Sequence, residues 1–200
     1  MKFLLGITGM IGSGKSTAAK IFEEFGAFRV SSDDLAKVYT SEKSPIKDKI
    51  ALSLGKEVIG PDGNLDRKKI AQIVFFDTKK LQILNGLIHP LVLKDFLTLA
   101  DSIQEGRIIA WEIPLLFETG SEKICDATLT VFTDEETAYA RVKNRNNISK
   151  TEFLARLSNQ MSIKDKLRLS DFSIENDGKT EDLRDACGAI YNKIMKEKKE

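Results

Sequence analysis

The chain has 200 residues, enough for one compact α/β domain with insertions and too few for two full domains. Its 31 Lys and Arg nearly balance its 30 Asp and Glu, which argues against a long nucleic acid or a membrane as its main partner. The 2 cysteines, Cys125 and Cys187, have no C-x-x-C spacing, so a disulfide scaffold and a cysteine zinc site are disfavoured, a reducing cytoplasmic setting fits, and no run of about 18 apolar residues marks a membrane helix.

Phe3 to Thr8 reads as a short buried strand stopping at Gly9. Lys2 and the apolar run after it have a superficial likeness to a signal peptide, but Gly-Ser-Gly-Lys follows and no cleavage site does. Lys15 to Phe25 is a helix whose apolar face is Ala18, Ala19, Ile21, Phe22 and Phe25, with Gly26 as its stop. Ala27 to Ser31 is a second strand, and the chain turns helical from Asp33. Pro45 to Ala100 holds no strong strand; its helical periods break at Gly60-Pro61-Asp62-Gly63, and it reads as an insertion at the sheet edge. Arg107 to Trp111 is a buried strand ending at Glu112, closed by Pro114. Ala127 to Phe132 is another, followed by a helix from Asp134 to about Arg145. Ser149 to Gln160 is a further helix, with Ser149 and Glu152 at capping-box spacing. Asp171 to Glu175 is the last strand and Glu181 to Met195 the last helix, before a Lys-Glu-Lys-Lys-Glu end expected to fray. Strands alternating with helices imply a mostly parallel five-stranded sheet covered on both faces, with ligands at the carboxyl ends of its strands.

One loop carries the chemistry. Gly9-Met10-Ile11-Gly12-Ser13-Gly14-Lys15-Ser16 matches G-x-x-x-x-G-K-[ST] in full, after a strand and opening a helix. Glycines let successive backbone N–H groups point inward at phosphate oxygens, and the helix N-terminus adds partial positive charge. Lys15 is expected to reach the β- and γ-phosphates and the Ser16 hydroxyl to ligate Mg²⁺. The pattern G-x-G-x-x-G is absent, which disfavours a dinucleotide fold. So is N-K-x-D, the guanine reader of a GTPase switch. A small ATP-dependent kinase, of a small-molecule hydroxyl or a nucleoside monophosphate, is the leading reading, on an α/β P-loop NTPase three-layer sandwich, ahead of a nucleotide-dependent switch that binds without transferring the phosphoryl group.

Other residues have two readings each. Asp33, just past the second strand, is either the carboxylate that accepts or orients an attacking hydroxyl proton or a helix N-cap; Asp34 is its neighbouring competitor. The span from Arg141 to Arg168 is locally basic and reads either as a lid over phosphates or as a solvated helix surface. Arg141 and Arg145, four apart, share a helix face, and one of them is a candidate for stabilising transition-state charge. His89, beside Pro90, is either structural or functional. Glu112 can act on Mg²⁺ through water, and Glu118 can hold its loop by hydrogen bonds.

Taken together these residues resemble the dephospho-coenzyme A kinases, almost from end to end. Thr8 to Thr17 is similar to that family's opening. Gly63-Asn64-Leu65-Asp66-Arg67 with Val74-Phe75 resembles its insertion motif, and Asn85 with Ile88-His89-Pro90-Leu91-Val92 its central one. Pro114-Leu115-Leu116-Phe117-Glu118 resembles the third. Arg141, Arg145, Gln160 and Lys166 to Asp171, with Asn176 and Gly178, resemble its lid and C-terminal nucleotide region. The resemblance implies a core of about 1–40, 105–140 and 170–200, a helical CoA-binding insertion of about 40–100, and a lid of about 140–165. It implies that ATP phosphorylates the ribose 3′-hydroxyl of dephospho-CoA, with Mg²⁺ bridging the phosphates. Lys15, Asp33, Arg141 and Arg145 become the expected catalytic group. Gly12, Ser13, Gly14, Lys15, Ser16, Thr17 and Asn176 would bind the nucleotide; His89, Asp33 and Glu118 would bind the substrate. The chain departs from the family at Ser31, where an Asp is common, and at Met10, where a glycine is.

Overall fold

The computed structural model describes residues 1–197, the side chain of Phe76 excepted, so the last three residues of the end expected to fray lie outside the described residues. In chain order the elements are β1 (Phe3–Thr8), α1 (Lys15–Glu24), β2 (Phe28–Ser31), α2 (Ser32–Tyr39), α3 (Lys47–Leu54), α4 (Arg67–Phe76) and α5 (Thr78–Ser102). They continue with β3 (Ile108–Glu112), β4 (Ala127–Phe132), α6 (Glu135–Asn146), α7 (Lys150–Ser158), α8 (Ile163–Leu169), β5 (Phe172–Glu175) and α9 (Thr180–Glu197). Two compact units result: Met1–Ser31 with Ile103–Glu200, and Ser32–Ser102.

The first unit is built on a parallel sheet in the order β2-β3-β1-β4-β5, as the α/β reading expects. Period-2 alternation sends Leu5 and Ile7 of β1 to one face, where they meet Ala18, Ala19 and Phe22 of α1 and Leu183, Cys187 and Ile194 of α9 in one buried cluster. The intervening residues go to the other face. A Cβ on Gly6 would lie 2.8 Å from Cys125 Sγ and 3.1 Å from Leu116 Cδ1, and the Thr8 hydroxyl meets Lys166 of α8. Burial on both faces is why β1, β3 and β4 read as continuous apolar runs. β1 and β2 are one strand apart, because β3 runs between them, pairing Ile7 and Ser31 each with Glu112.

The helix expected over 149–160 ends at Ser158, and a separate α8 follows. Ser149 and Glu152 do form the capping box. Ser162 caps α8 by accepting from Asp165 N–H at 3.1 Å, so the Ser-Ile-Lys-Asp spacing was itself a start signal.

The second unit is helical. Tyr39, Ile50, Leu54, Ile70, Leu84, Ile88 and Val92 form its buried cluster. The turn cluster at 60–63 leads into Leu65, in the core, and Asp66, whose carboxylate accepts from Lys68 N–H at 2.9 Å and Lys69 N–H at 3.2 Å to cap α4. That gives the Leu65-Asp66 pair a local structural reason. α5 holds Pro90 in its interior and is long and apolar enough to cross a membrane by length and composition, which the sequence reading did not expect. In this unit its Leu84, Ile88 and Val92 pack into the shared cluster, and Asp95 accepts a hydrogen bond from the Tyr39 hydroxyl.

Losing the α4 cap leaves helix-end donors without their partner. Asp66→Ala is expected to lower stability by about 1 kcal/mol in urea unfolding, with Asp66→Asn close to the parent.

Candidate functional site

The phosphate loop joins β1 to α1 at the carboxyl end of the sheet, and its shape is imposed from outside. Within the loop, Ser13 N–H reaches Met10 O at 3.2 Å. Gly12 (φ +83°) and Gly14 (φ +94°) hold the left-handed backbone that side chains avoid. Neither has room for one: a Cβ on Gly12 would strike Ala138 O of α6, and a Cβ on Gly14 would strike Asn176 Nδ2. Asn176, buried after β5, donates from Nδ2 to Ser13 O at 2.7 Å, while its own N–H holds Phe132 O at 2.7 Å. Ile11 N–H donates to Gln160 Oε1 at 3.2 Å. Met10 is buried among Ala138, Val142, Ile148 and Phe153 of the α6–α7 region.

Lys15 and Ser16 open α1 as expected. The Ser16 hydroxyl donates to Glu112 Oε1, and Arg29 Nη2 binds Glu112 Oε2 at 3.0 Å. The Glu112 side chain is only 5% exposed, and the Arg29 guanidinium supplies the ion pair that a carboxylate so placed needs. No group of three or more His, Cys, Asp or Glu suited to a metal occurs among the described residues. The paired oxygens of Ser16 and Glu112, next to a loop built for phosphate, suit Mg²⁺, which takes few protein ligands and shares the rest with phosphates and water.

Beside the loop, Gly14, Thr17, Arg141, Asn176, Gly178, Thr180 and Leu183 line one cleft. Arg141 is half-buried, and its Nη1 is enclosed with no hydrogen-bond partner, a guanidinium donor suited to an incoming acceptor. Arg145, one turn on, is exposed and donates from Nε to Asn146 Oδ1 at 2.7 Å; it is not among the residues lining the cleft.

Glu118, in the loop after β3, is tied on two sides. Oε1 accepts from Met161 N–H at 2.7 Å and lies 2.9 Å from Lys166 Nζ. Lys166 is fully buried and also donates to Pro114 O at 2.8 Å and Thr8 Oγ1 at 3.3 Å. Burial lowers the Lys166 pKa, Glu118 opposes that, and the nearby positive charge of Lys15 adds to the lowering. Gln160, Arg29 and Lys166 carry contacts that sequence reasoning did not assign. Lys166 falls in the basic span that reads either as a lid or as a solvated surface, and neither reading expects a side chain buried within α8.

The remaining expected residues belong to the second unit. Asp33 is exposed in the first turn of α2, two positions past the end of β2, and α2 begins before it at Ser32. A carboxylate there is favoured by the helix dipole. His89 is half-buried in α5, and burial lowers its pKa below 6.5, favouring the neutral imidazole.

The chain matches the family model described as dephospho-CoA kinase over residues 3–182. A curated dephospho-CoA kinase from Leptospira interrogans is 46% identical over 193 residues, covering 96% of this chain and 93% of the relative. The crystal structure of a Thermus thermophilus protein aligns at TM-score 0.82 and 33% identity, covering 96% of this chain and 97% of that one. A dephospho-CoA kinase structure from Campylobacter jejuni aligns at TM-score 0.62 and 26% identity, with coverage of 96% and 97%.

Because His89 is the 1 histidine of the chain, its ring resonances can be followed alone in an NMR pH titration. The midpoint is expected below 6.5. The sign follows: below 6.5 the unfolded chain takes up the proton more readily, so this group's contribution to stability holds above 6.5 and is lost as pH falls through the folded-state midpoint.

Proposed function

We propose that this chain, which belongs to the dephospho-CoA kinase family, transfers the γ-phosphoryl group of ATP to the ribose 3′-hydroxyl of dephospho-CoA, giving CoA and ADP in the last step of coenzyme A biosynthesis. The observation that carries this reading is a complete phosphate loop with Ser16 hydrogen-bonded to Glu112, in a chain matched to the family over residues 3–182.

In the proposed mechanism the loop N–H groups and Lys15 hold the β- and γ-phosphates, and the α1 N-terminus favours their charge. Ser16, with Glu112 behind it, would hold Mg²⁺, which supplies charge neutralisation between the phosphates. Asn176 keeps Ser13 and Gly14 in place beside the cleft that would take the nucleoside. The enclosed Nη1 of Arg141 gains an acceptor when nucleotide enters that cleft. Arg145, exposed on the same helix, is the residue free of the cleft wall that can close over the transferring group. Asp33 accepts or orients the proton of the 3′-hydroxyl. His89, held neutral by burial, offers a hydrogen bond to the acceptor without adding charge. Glu118 is assigned to the substrate side, although its carboxylate is shared with Lys166 and Met161. Residues of about 40–100 would receive the CoA portion and those of about 140–165 would act as the lid. Exclusion of water prevents phosphoryl loss to hydrolysis. A cytoplasmic setting, where ATP and reduced thiols coexist, suits the reaction and the 2 free cysteines.

The direct test is ADP release from Mg-ATP with and without dephospho-CoA, with mass spectrometry of the acceptor. Acceptor-dependent ADP and a gain of about 80 daltons on dephospho-CoA, one phosphoryl group, are expected; ADP release indifferent to the acceptor would refute the assignment. Lys15→Ala and Asp33→Asn are each expected to lower turnover by roughly 10²–10⁴ with the fold intact by circular dichroism. An unchanged rate in Asp33→Asn would remove that residue from the mechanism.

A further inference from the structure

Lys166 is a fully buried lysine, and none of the chemistry above uses it. Burying an ammonium is costly unless it is paired and hydrogen-bonded. Here each contact leads to the phosphate loop. Thr8 Oγ1, 3.3 Å from Nζ, belongs to the residue from which the loop departs. Pro114 O, at 2.8 Å, lies just past β3 and also accepts from the Thr8 hydroxyl at 3.2 Å. Glu118, at 2.9 Å, holds Met161 N–H, and the residue before Met161 is Gln160, whose side chain holds Ile11 N–H near the loop's tip. One ammonium is therefore linked to the loop's base directly and to its tip through Glu118 and the 160–161 segment.

We propose that Lys166, paired with Glu118, is a positioning residue for phosphoryl transfer: it fixes the base and the tip of the phosphate loop relative to each other, so that the loop's N–H groups are set before nucleotide arrives. This deepens the nucleotide half of the kinase reading and rests on it. The alternative is a role in stability alone, and the two separate cleanly. Replacing a buried ion pair by neutral groups of similar volume often leaves stability unchanged or raises it. A preorganising role would not be restored along with stability, because a neutral pair cannot offer Nζ to Thr8, Pro114 and Glu118 at once.

The experiment compares the parent with Lys166→Met and the double variant Lys166→Met/Glu118→Gln. Three quantities are read: thermal melting, equilibrium binding of a fluorescent ATP analogue with Mg²⁺, and the single-turnover rate with dephospho-CoA. The single variant is expected to melt lower, because Glu118 is left unpaired. The double variant is expected to melt near the parent, bind the analogue about tenfold more weakly and react about 10²-fold more slowly. If the double variant recovers affinity and rate together with its melting temperature, the pair is structural only and the proposal fails. If it unfolds, Glu118→Gln alone, which retains Lys166 and an acceptor for Met161, must show the affinity loss in its folded fraction, and parent-like affinity there overturns the proposal. Analogue binding needs no acceptor, so a parent that binds the analogue but leaves dephospho-CoA unmodified would sink the acceptor assignment while the affinity comparison still decides the role of Lys166.

Discussion

The phosphate loop must present backbone donors inward while making few bonds of its own, and that requirement organises the first unit. A loop in this state is held by what surrounds it. Asn176 takes Ser13 O, Gln160 takes Ile11 N–H, Lys166 reaches Thr8, and α6 backs Gly12 closely enough to leave no room for a Cβ. These groups come from β5, the α7–α8 segment, α8 and α6, so the C-terminal half of the chain serves largely to hold a loop encoded near its start. Parallel strand order is what makes this possible: β1 is central, with β3 and β4 on either side, so segments leaving both neighbours converge on the loop.

The two departures from the family pattern look different in this setting. Met10 stands at a variable position of the loop, and its side chain is 5% exposed, packed with Ala138, Val142, Ile148 and Phe153. It gives the loop an apolar anchor in the α6–α7 region that a glycine would not supply. Ser31 ends β2 opposite Glu112, in register. A carboxylate thus already stands on the adjacent strand, beside Ser16 and neutralised by Arg29. A carboxylate at position 31 would set two like charges on paired positions of adjacent strands, an arrangement that repels.

What could be read from the sequence was local. β1, β3 and β4 read as apolar runs, because burial on both faces removes alternation, whereas the short edge strands β2 and β5 keep an alternating pattern. The phosphate loop was visible because its glycines and Lys15 are contiguous, and the capping box of α7 because its partners are three residues apart. The order of the sheet was not visible. β3 runs between β1 and β2, an arrangement that no local pattern announces. Nor were Gln160, Arg29 and Lys166 visible as loop supports: their partners lie 149, 83 and 158 positions away along the chain, at distances where no periodicity or spacing rule operates. Lys166 is hidden for a further reason: charge counting sees only a basic span, and does not distinguish the one lysine that turns inward onto Glu118.

That inward lysine bears on how the architecture divides its tasks. Stability alone gives a weak reason for placing an ion pair under the sheet's carboxyl edge, since an apolar pair would avoid most of the desolvation cost. Geometry gives a better one. Apolar contacts are non-directional and tolerate small slips, whereas an ammonium facing a hydroxyl, a carbonyl and a carboxylate has few satisfactory positions. Where phosphoryl transfer depends on donors set to a fraction of an ångström, a directional interior contact under the loop is of more use than a slightly more stable core. The apolar cluster around Met10 and the polar cluster around Lys166 therefore act on different parts of the same loop: the first packs Met10 against the α6–α7 region, and the second ties Thr8, at the loop's base, to Pro114 and Glu118.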